Sequence, residues 1–162
     1  MRIATKSSKL DISKLENTEK IADIFAKNIF KGDVILFYGE VGVGKTTFIK
    51  FLINGLEKTD KKNISEITSP TFSLMNQYKL NKFDIHHYDL YRLKSEKDIL
   101  SLNIFDNISD KIVLIEWPEI LGEHKPRNTI DINFEYGENF NSRYLTISAY
   151  EKLKIFDEFK SL

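Results

Sequence analysis

Apolar positions along this chain change period several times, and each change predicts an element. Ile21, Ile24, Phe25 and Ile29 recur at helical spacing, predicting a helix from about Asn17 to Lys31 with Asn17 or Thr18 as its cap and Gly32 ending it. The run "DVILFY" at 33–38 is apolar without alternation and bounded by glycine, the pattern of a strand buried on both faces. "KIVLIEW" at 111–117 repeats that pattern. Between them the sequence predicts a helix from Lys45 to about Leu56, strands near 72–79 and 83–88 joined through "LNKF", and a polar helical stretch over 95–109. A short strand is expected near Arg2–Lys6. "TIDINFEY" and "SRYLTISAY" alternate evenly and predict an antiparallel pair at the sheet edge. Buried strands alternating with helices imply a three-layer α/β architecture around a mainly parallel central sheet with antiparallel C-terminal edge strands.

Composition narrows the class without choosing a function. The 162 residues form one domain's length with no repeat or linker, so residues 1–162 are expected to be a single domain. Lys plus Arg equals Asp plus Glu at 24 each, and no net field draws the molecule to nucleic acid or a membrane. Cysteine is absent, which excludes disulfides and thiolate metal sites and fits a reducing compartment. The N-terminal stretch has no apolar signal core, and no apolar run reaches membrane-spanning length, so a cytoplasmic location is expected.

The candidate chemistry begins at "GEVGVGKT". Gly39, Gly44, Lys45 and Thr46 have the spacing of a phosphate-binding P-loop, directly after a buried strand and opening a helix. Glycines let successive N–H groups of Glu40, Val41, Gly42, Val43 and Gly44 point at phosphates, and the helix N-terminus adds its dipole. Lys45 would reach the β- and γ-phosphates, the Thr46 hydroxyl would stand at Mg²⁺, and Thr47 continues the cradle. A nucleoside triphosphate is therefore the expected ligand. Such a site needs an acid at a neighbouring strand end, and two occur: Glu116 closing "IVLIE" and Asp89 closing "IHHYD". "TSPTF" at 68–72 lies where nucleotide-sensing segments sit, with Ser69 and Thr71 offering hydroxyls to a γ-phosphate or its metal. The alternative for that loop is a plain turn into a strand.

Three other features read as decoys. Asn81–Asp84 spells a guanine-reading NKxD pattern, but between two predicted strands it reads as a polar hairpin turn. His86 and His87 are adjacent on a strand, so they leave opposite faces and cannot share a metal. Lys61–Lys62 reads as a solvated loop. Trp117 either closes the core or stands at the site mouth.

Taken together, Gly39–Thr47, "SPTF" at 69–72, "HYDLYRL" at 87–93 and "IEWPE" at 115–119 resemble the TsaE (YjeE) family of tRNA threonylcarbamoyladenosine biosynthesis ATPases. The resemblance spans about residues 17–120. Val41 and Val43 depart from the family's usual Leu and Ala, and nothing after Tyr136 carries a family motif. The resemblance implies a P-loop NTPase fold, ATP and Mg²⁺, and hydrolysis that resets the TsaB–TsaD complex while it modifies adenosine 37 of tRNA. It implies Lys45 at the phosphates, Thr46 and Glu116 at magnesium, Asp89 in hydrolysis, Ser69 and Thr71 as switch, and Thr18 near the nucleotide. Tyr91, Arg92 and Trp117 would lie around the site mouth. Contact with tRNA would be indirect through the complex; neither DNA nor a membrane is expected as partner. Two further classes stay open, a P-loop small-molecule kinase and an ATP-sensing binding module. Only four arginines occur (Arg2, Arg92, Arg127, Arg143), unclustered, where such kinases use an arginine-bearing lid.

Overall fold

A computed structural model describes residues 5–150 and 153–162. The strands are β1 (Thr5–Lys6), β2 (Leu10–Asp11), β3 (Val34–Tyr38), β4 (Met75–Lys79), β5 (Asp84–Asp89), β6 (Lys111–Glu116), β7 (Ile130–Tyr136) and β8 (Arg143–Ala149). The helices are α1 (Leu15–Asn28), α2 (Lys45–Thr59), α3 (Glu96–Ser101) and α4 (Leu153–Phe159). All eight strands form one sheet in the order β1-β8-β7-β3-β6-β5-β4, with β2 also on β8.

The centre of that sheet is parallel: β3 runs parallel to β6 and β7, and β5 parallel to β6. Antiparallel strands flank it on both sides, β4 on β5 and β8 on β7. The parallel core of an α/β sheet is buried on both faces, and the alternation within β3 shows how. Ile35 and Phe37 enter one apolar cluster with α1, α2 and α4, while Val34 and Leu36 enter a second with Ile99 of α3 and Leu121. That makes three layers. The first cluster is stapled by rings: Phe48 of α2 lies 5.7 Å from Phe25, 6.0 Å from Phe37 and 5.8 Å from Phe134. Removing a buried ring of this kind costs about 3–5 kcal/mol, so α2 is firmly seated where it leaves the glycine-bearing loop after β3.

Several elements differ from the pattern-based expectation. The strand expected near Arg2–Lys6 is observed at Thr5–Lys6, and its earlier part lies outside the described residues. Helix α1 starts at Leu15 rather than Asn17, its N-cap is Lys14 without a side-chain cap bond, and it ends at Asn28 because Ile29 turns extended to bury itself. Neither Asn17 nor Thr18 caps it. The helix expected over 95–109 stops at Ser101, since Asn103 and Asn107 take left-handed backbone (φ 48° and 52°) that a right-handed helix cannot contain. Helix α2 runs three residues past Leu56, and β4 begins at Met75 after a turn closed by Leu74 N–H donating to Pro70 O. The β7–β8 pair forms as expected, yet β8 is covered by β1 and β2 rather than left as the edge.

Candidate functional site

Parallel strands deliver their C-terminal ends to one rim of the sheet, and β8, running the other way, delivers its first residue there. Across that rim stand Asp89 (β5), Glu116 (β6), the loop after β3, Tyr136 (β7) and Arg143 (β8); Asp89 is the register partner of Glu116, and Tyr136 of Arg143. A cavity of about 320 Å³ opens along the rim, lined by the loop residues Val41, Gly42, Gly44, Lys45, Thr46 and Thr47, and by Ser69, Thr71, Asp89, Tyr91, Glu116, Trp117 and Arg143.

The loop owes its path to two glycines. Gly39 has φ 141°, and a Cβ there would sit 2.7 Å from Phe134 O, so the loop passes close under β7 only without a side chain. Gly44, at φ 118°, is the left-handed N-cap from which α2 starts. The two valines divide the work: Val43 is fully buried in the core below the loop, whereas Val41 is 69% exposed. Tyr136 Oη donates to Val41 O at 3.2 Å and ties the loop to β7.

Lys45, the first residue of α2, is buried and turned back on its own loop. Its Nζ donates to Gly39 O and, at 3.0 Å, to Glu40 O, and lies 3.9 Å from the centre of the Trp117 ring. Burial pulls its pKa below the ordinary lysine value, against the opposing pull of Glu116, Glu119 and Asp89. Trp117, directly after β6, has a left-handed backbone itself (φ 57°), and its ring packs on Tyr91 at 4.8 Å.

Beside Lys45 two carboxylates are held in different ways. Glu116, nearly fully buried, accepts from Thr46 Oγ1 at 3.0 and 3.1 Å and from His87 Nε2 at 2.9 Å. The ring nitrogen facing the carboxylate is the protonated one; Nδ1 is buried without a partner. Asp89, also buried, accepts at Oδ2 from Thr71 Oγ1 (2.8 Å) and Ser69 Oγ (3.3 Å), and at Oδ1 from Tyr91 N–H (3.0 Å). Ser69 and Thr71 also bond each other at 2.7 Å. The segment leading to them is anchored by Glu57 of α2, which accepts from the Ser65 N–H and hydroxyl.

A divalent cation fits the Thr46–Glu116 corner, where a hydroxyl and a carboxylate supply the hard oxygens that Mg²⁺ takes. Among the described residues no three His, Cys, Asp or Glu side chains converge as a metal cage. Phosphate oxygens and water would complete such a shell.

Thr18 is not on the cavity wall. It is buried in α1, its hydroxyl donating to Ile12 O at 3.4 Å, and the Ile12 N–H in turn donates to Arg143 O at 2.9 Å. Asn81–Phe83 lies in the β4–β5 turn and Asp84 opens β5, while Asn81 N–H donates to Asp60 at the far end of α2. A helix of 15 residues, about 22 Å, separates that turn from the loop. His86 and His87 do leave opposite faces, His86 toward Tyr88 and His87 toward Glu116. Sequence reasoning nevertheless missed His87. The available signal was its spacing of two from Asp89, which puts both on one face of β5. Arg143 and Tyr136 carried no such signal.

The family model of the threonylcarbamoyl adenosine biosynthesis protein TsaE matches residues 12–145. Among curated proteins, the tRNA threonylcarbamoyladenosine biosynthesis protein TsaE of Rickettsia conorii is 36% identical over 137 residues, covering 85% of this chain and 75% of the relative. That of Rickettsia prowazekii is 36% identical, with 82% and 88% covered. The Bacillus subtilis TsaE is 32% identical, with 72% and 70% covered. Among solved structures, the crystal structure of Bacillus subtilis YdiB superposes with TM-score 0.75 over 99% of this chain and 98% of that one, at 23% identity, a likeness of fold.

Proposed function

The chain belongs to the TsaE family of tRNA threonylcarbamoyladenosine biosynthesis proteins, and from that premise we propose that it is a Mg²⁺-dependent ATPase whose hydrolysis drives turnover of the TsaB–TsaD complex. One observation carries the hydrolytic part. Asp89 Oδ2, the carboxylate oxygen that would orient a water, is covered by Ser69 and Thr71, the two hydroxyls of the loop suited to sense a γ-phosphate. A γ-phosphate that attracts those hydroxyls uncovers Asp89 Oδ2, so the acid is released only when its substrate is in place. Binding and activation are one rearrangement.

The remaining residues have defined tasks in this reading. Backbone N–H groups of the loop cradle the phosphates, and Lys45 leaves Gly39 O, Glu40 O and Trp117 to neutralise the β- and γ-phosphate oxygens. Thr46 and Glu116 would hold magnesium, which when bound offsets charge building on the phosphates. His87 fixes the Glu116 carboxylate. Thr18, linked through Ile12 to Arg143, belongs to the nucleoside side.

The reading as a partner-coupled engine rests on what surrounds the cavity. Phe72 is 86% exposed beside the switch hydroxyls, with Arg92 donating to its carbonyl and lying over its ring, and Tyr91 is exposed next to Asp89. A change at Ser69–Thr71 is thereby handed to an outward aromatic surface, where a partner can read it. The test is reconstitution with cognate TsaB and TsaD, tRNA and threonylcarbamoyl-adenylate. Multiple rounds of modification are expected to require this protein with hydrolysable ATP, and Asp89→Ala is expected to stop the system after few turnovers. Full multi-turnover modification without this protein would defeat the proposal.

A further inference from the structure

Glu57 has no task in the reading above, although it is a carboxylate with only 3% of its surface exposed. It stands on α2, twelve residues after Lys45 and about 18 Å further along the same rigid helix. A buried charge is costly unless it is hydrogen-bonded. No lysine or arginine pairs with Glu57 among the described residues. Ser65 answers it instead, donating its N–H to Oε2 at 2.9 Å and its hydroxyl to Oε1.

Ser65 lies in the segment that leads to Ser69 and Thr71. Residues 62–70 have neither helix nor strand, so a few contacts set their course. From Asn63 to Ile67 the hydrogen bonds that hold the chain, among the described residues, are those from Ser65 to Glu57, and Ile67 adds its burial in the core. Downstream, Asn76 Nδ2 donates to Thr68 O, Leu74 N–H to Pro70 O, and Asp89 N–H to Leu74 O. Ser69 and Thr71 therefore hang between a pin on α2 and a pin on β5. Four residues separate Ser65 from Ser69, a reach of at most about 14 Å. The carboxylates at the two ends of this span differ. Asp89 lines the cavity, where water or a phosphate can take the place of Ser69 and Thr71. Glu57 does not line it, and releasing Ser65 would leave a buried charge unanswered. The bonds at Asp89 can exchange; those at Glu57 stay.

On the premise that Ser69 and Thr71 leave Asp89 for a γ-phosphate, we propose that Glu57 is a positioning residue for that exchange: through Ser65 it fixes the pivot about which the segment moves. Because α2 also begins with Lys45 and Thr46, the pivot and the phosphate site belong to one rigid body. The distance at which the two hydroxyls meet the phosphate is set by that body. Holding a diphosphate does not need the pivot, since the loop and Lys45 do it.

Phosphate release from Mg²⁺–ATP decides the matter on wild-type protein, Glu57→Ala, Glu57→Gln and Ser65→Ala, each with and without Asp89→Ala, alongside ADP calorimetry and thermal melts. Glu57→Ala is expected to lower kcat about tenfold, with KM and ADP affinity within about twofold of wild type. Glu57→Gln is expected to recover most of that loss, because its carbonyl oxygen accepts from the Ser65 N–H and its amide donates to the Ser65 hydroxyl. In the Asp89→Ala background, Glu57→Ala should cost less than about twofold, since no acid is left for the segment to uncover. Should Glu57→Ala fail to fold, Ser65→Ala removes one of the two bonds and is expected to lower kcat about threefold under the same controls. A merely structural glutamate would lower Tm and leave kcat of the folded variants unchanged, and that result would overturn the proposal. A tenfold loss repeated in full without Asp89 would overturn it too. Wild-type protein that released no phosphate would instead defeat the hydrolytic reading itself, and this assignment with it.

Discussion

The two flanks of the loop after β3 are built on opposite principles. On the flank of β5 and β6 each polar group on the cavity wall is answered from within the protein: Thr46 by Glu116, Glu116 by His87, and Asp89 by Ser69, Thr71 and Tyr91. On the flank of β7 and β8 the guanidinium of Arg143 has, among the described residues, only a ring beneath it, and Phe140, packed on Tyr136 at 5.0 Å, is largely exposed. A closed network must be rearranged before it can act, so it suits groups whose chemistry has to wait for a substrate. An open flank rearranges nothing and suits recognition. The difference teaches that this one cavity has a wall of mutually engaged polar groups at one end of the sheet rim and an open cationic wall at the other. In the proposed reading that layout would separate acting on a ligand from holding it.

The contrast is most exposed to failure at Glu116. Glu116→Ala is expected to lower kcat for phosphate release by about 100-fold or more, roughly 3 kcal/mol of barrier, while ADP affinity measured by calorimetry changes little. A wild-type rate in that variant would show that the closed flank is only structural. A smaller effect is expected one layer back. Because His87 fixes the Glu116 carboxylate, His87→Ala should reduce kcat about tenfold and raise the Mg²⁺ concentration needed for half-maximal activity, with His87→Gln recovering part of both. A merely structural histidine would lower the melting temperature and leave the Mg²⁺ requirement alone.

The smallest effect concerns Lys45, which stands at the end of the loop between the two flanks. Its pKa is lowered by burial, and phosphate needs it charged. ADP affinity should thus be full below that lowered value and fall as pH rises through it, sooner than the ordinary lysine value of about 10.4 would give. Calorimetry from neutral to alkaline pH reads the few-fold loss. Lys45→Arg, which stays charged throughout, should flatten it, whatever its absolute affinity.

How much of this was legible in the sequence depends on how local the cause is. The strand–loop–helix unit at 33–56 and the acid-ended strands at Asp89 and Glu116 were readable, because each is fixed by residues adjacent in the chain. The shortened α3 was not, since composition over 95–109 is helical and only the left-handed backbone at Asn103 and Asn107 stops it. A strand near Arg2–Lys6 was expected, but the two residues of β2 carry no period and nothing local names β8 as the partner of either, so the cover over β8 was not legible. His87 and Arg143 illustrate the harder limit. One acts through a residue 29 positions away, and the other lines the cavity only because β8 returns its first residue to the rim.

Trp117 has one more consequence, an optical one. It is the sole tryptophan of the chain, and a lysine ammonium rests 3.9 Å from its ring. A charge that close shifts the energy of the indole's excited state, and in the proposed reading phosphate would draw Lys45 away and remove it. Tryptophan emission from this protein therefore comes from a single indole, at the place where, in the proposed reading, the ligand's arrival would displace a charge. Loading of the loop can be followed in real time, without a label, by the colour and intensity of that light.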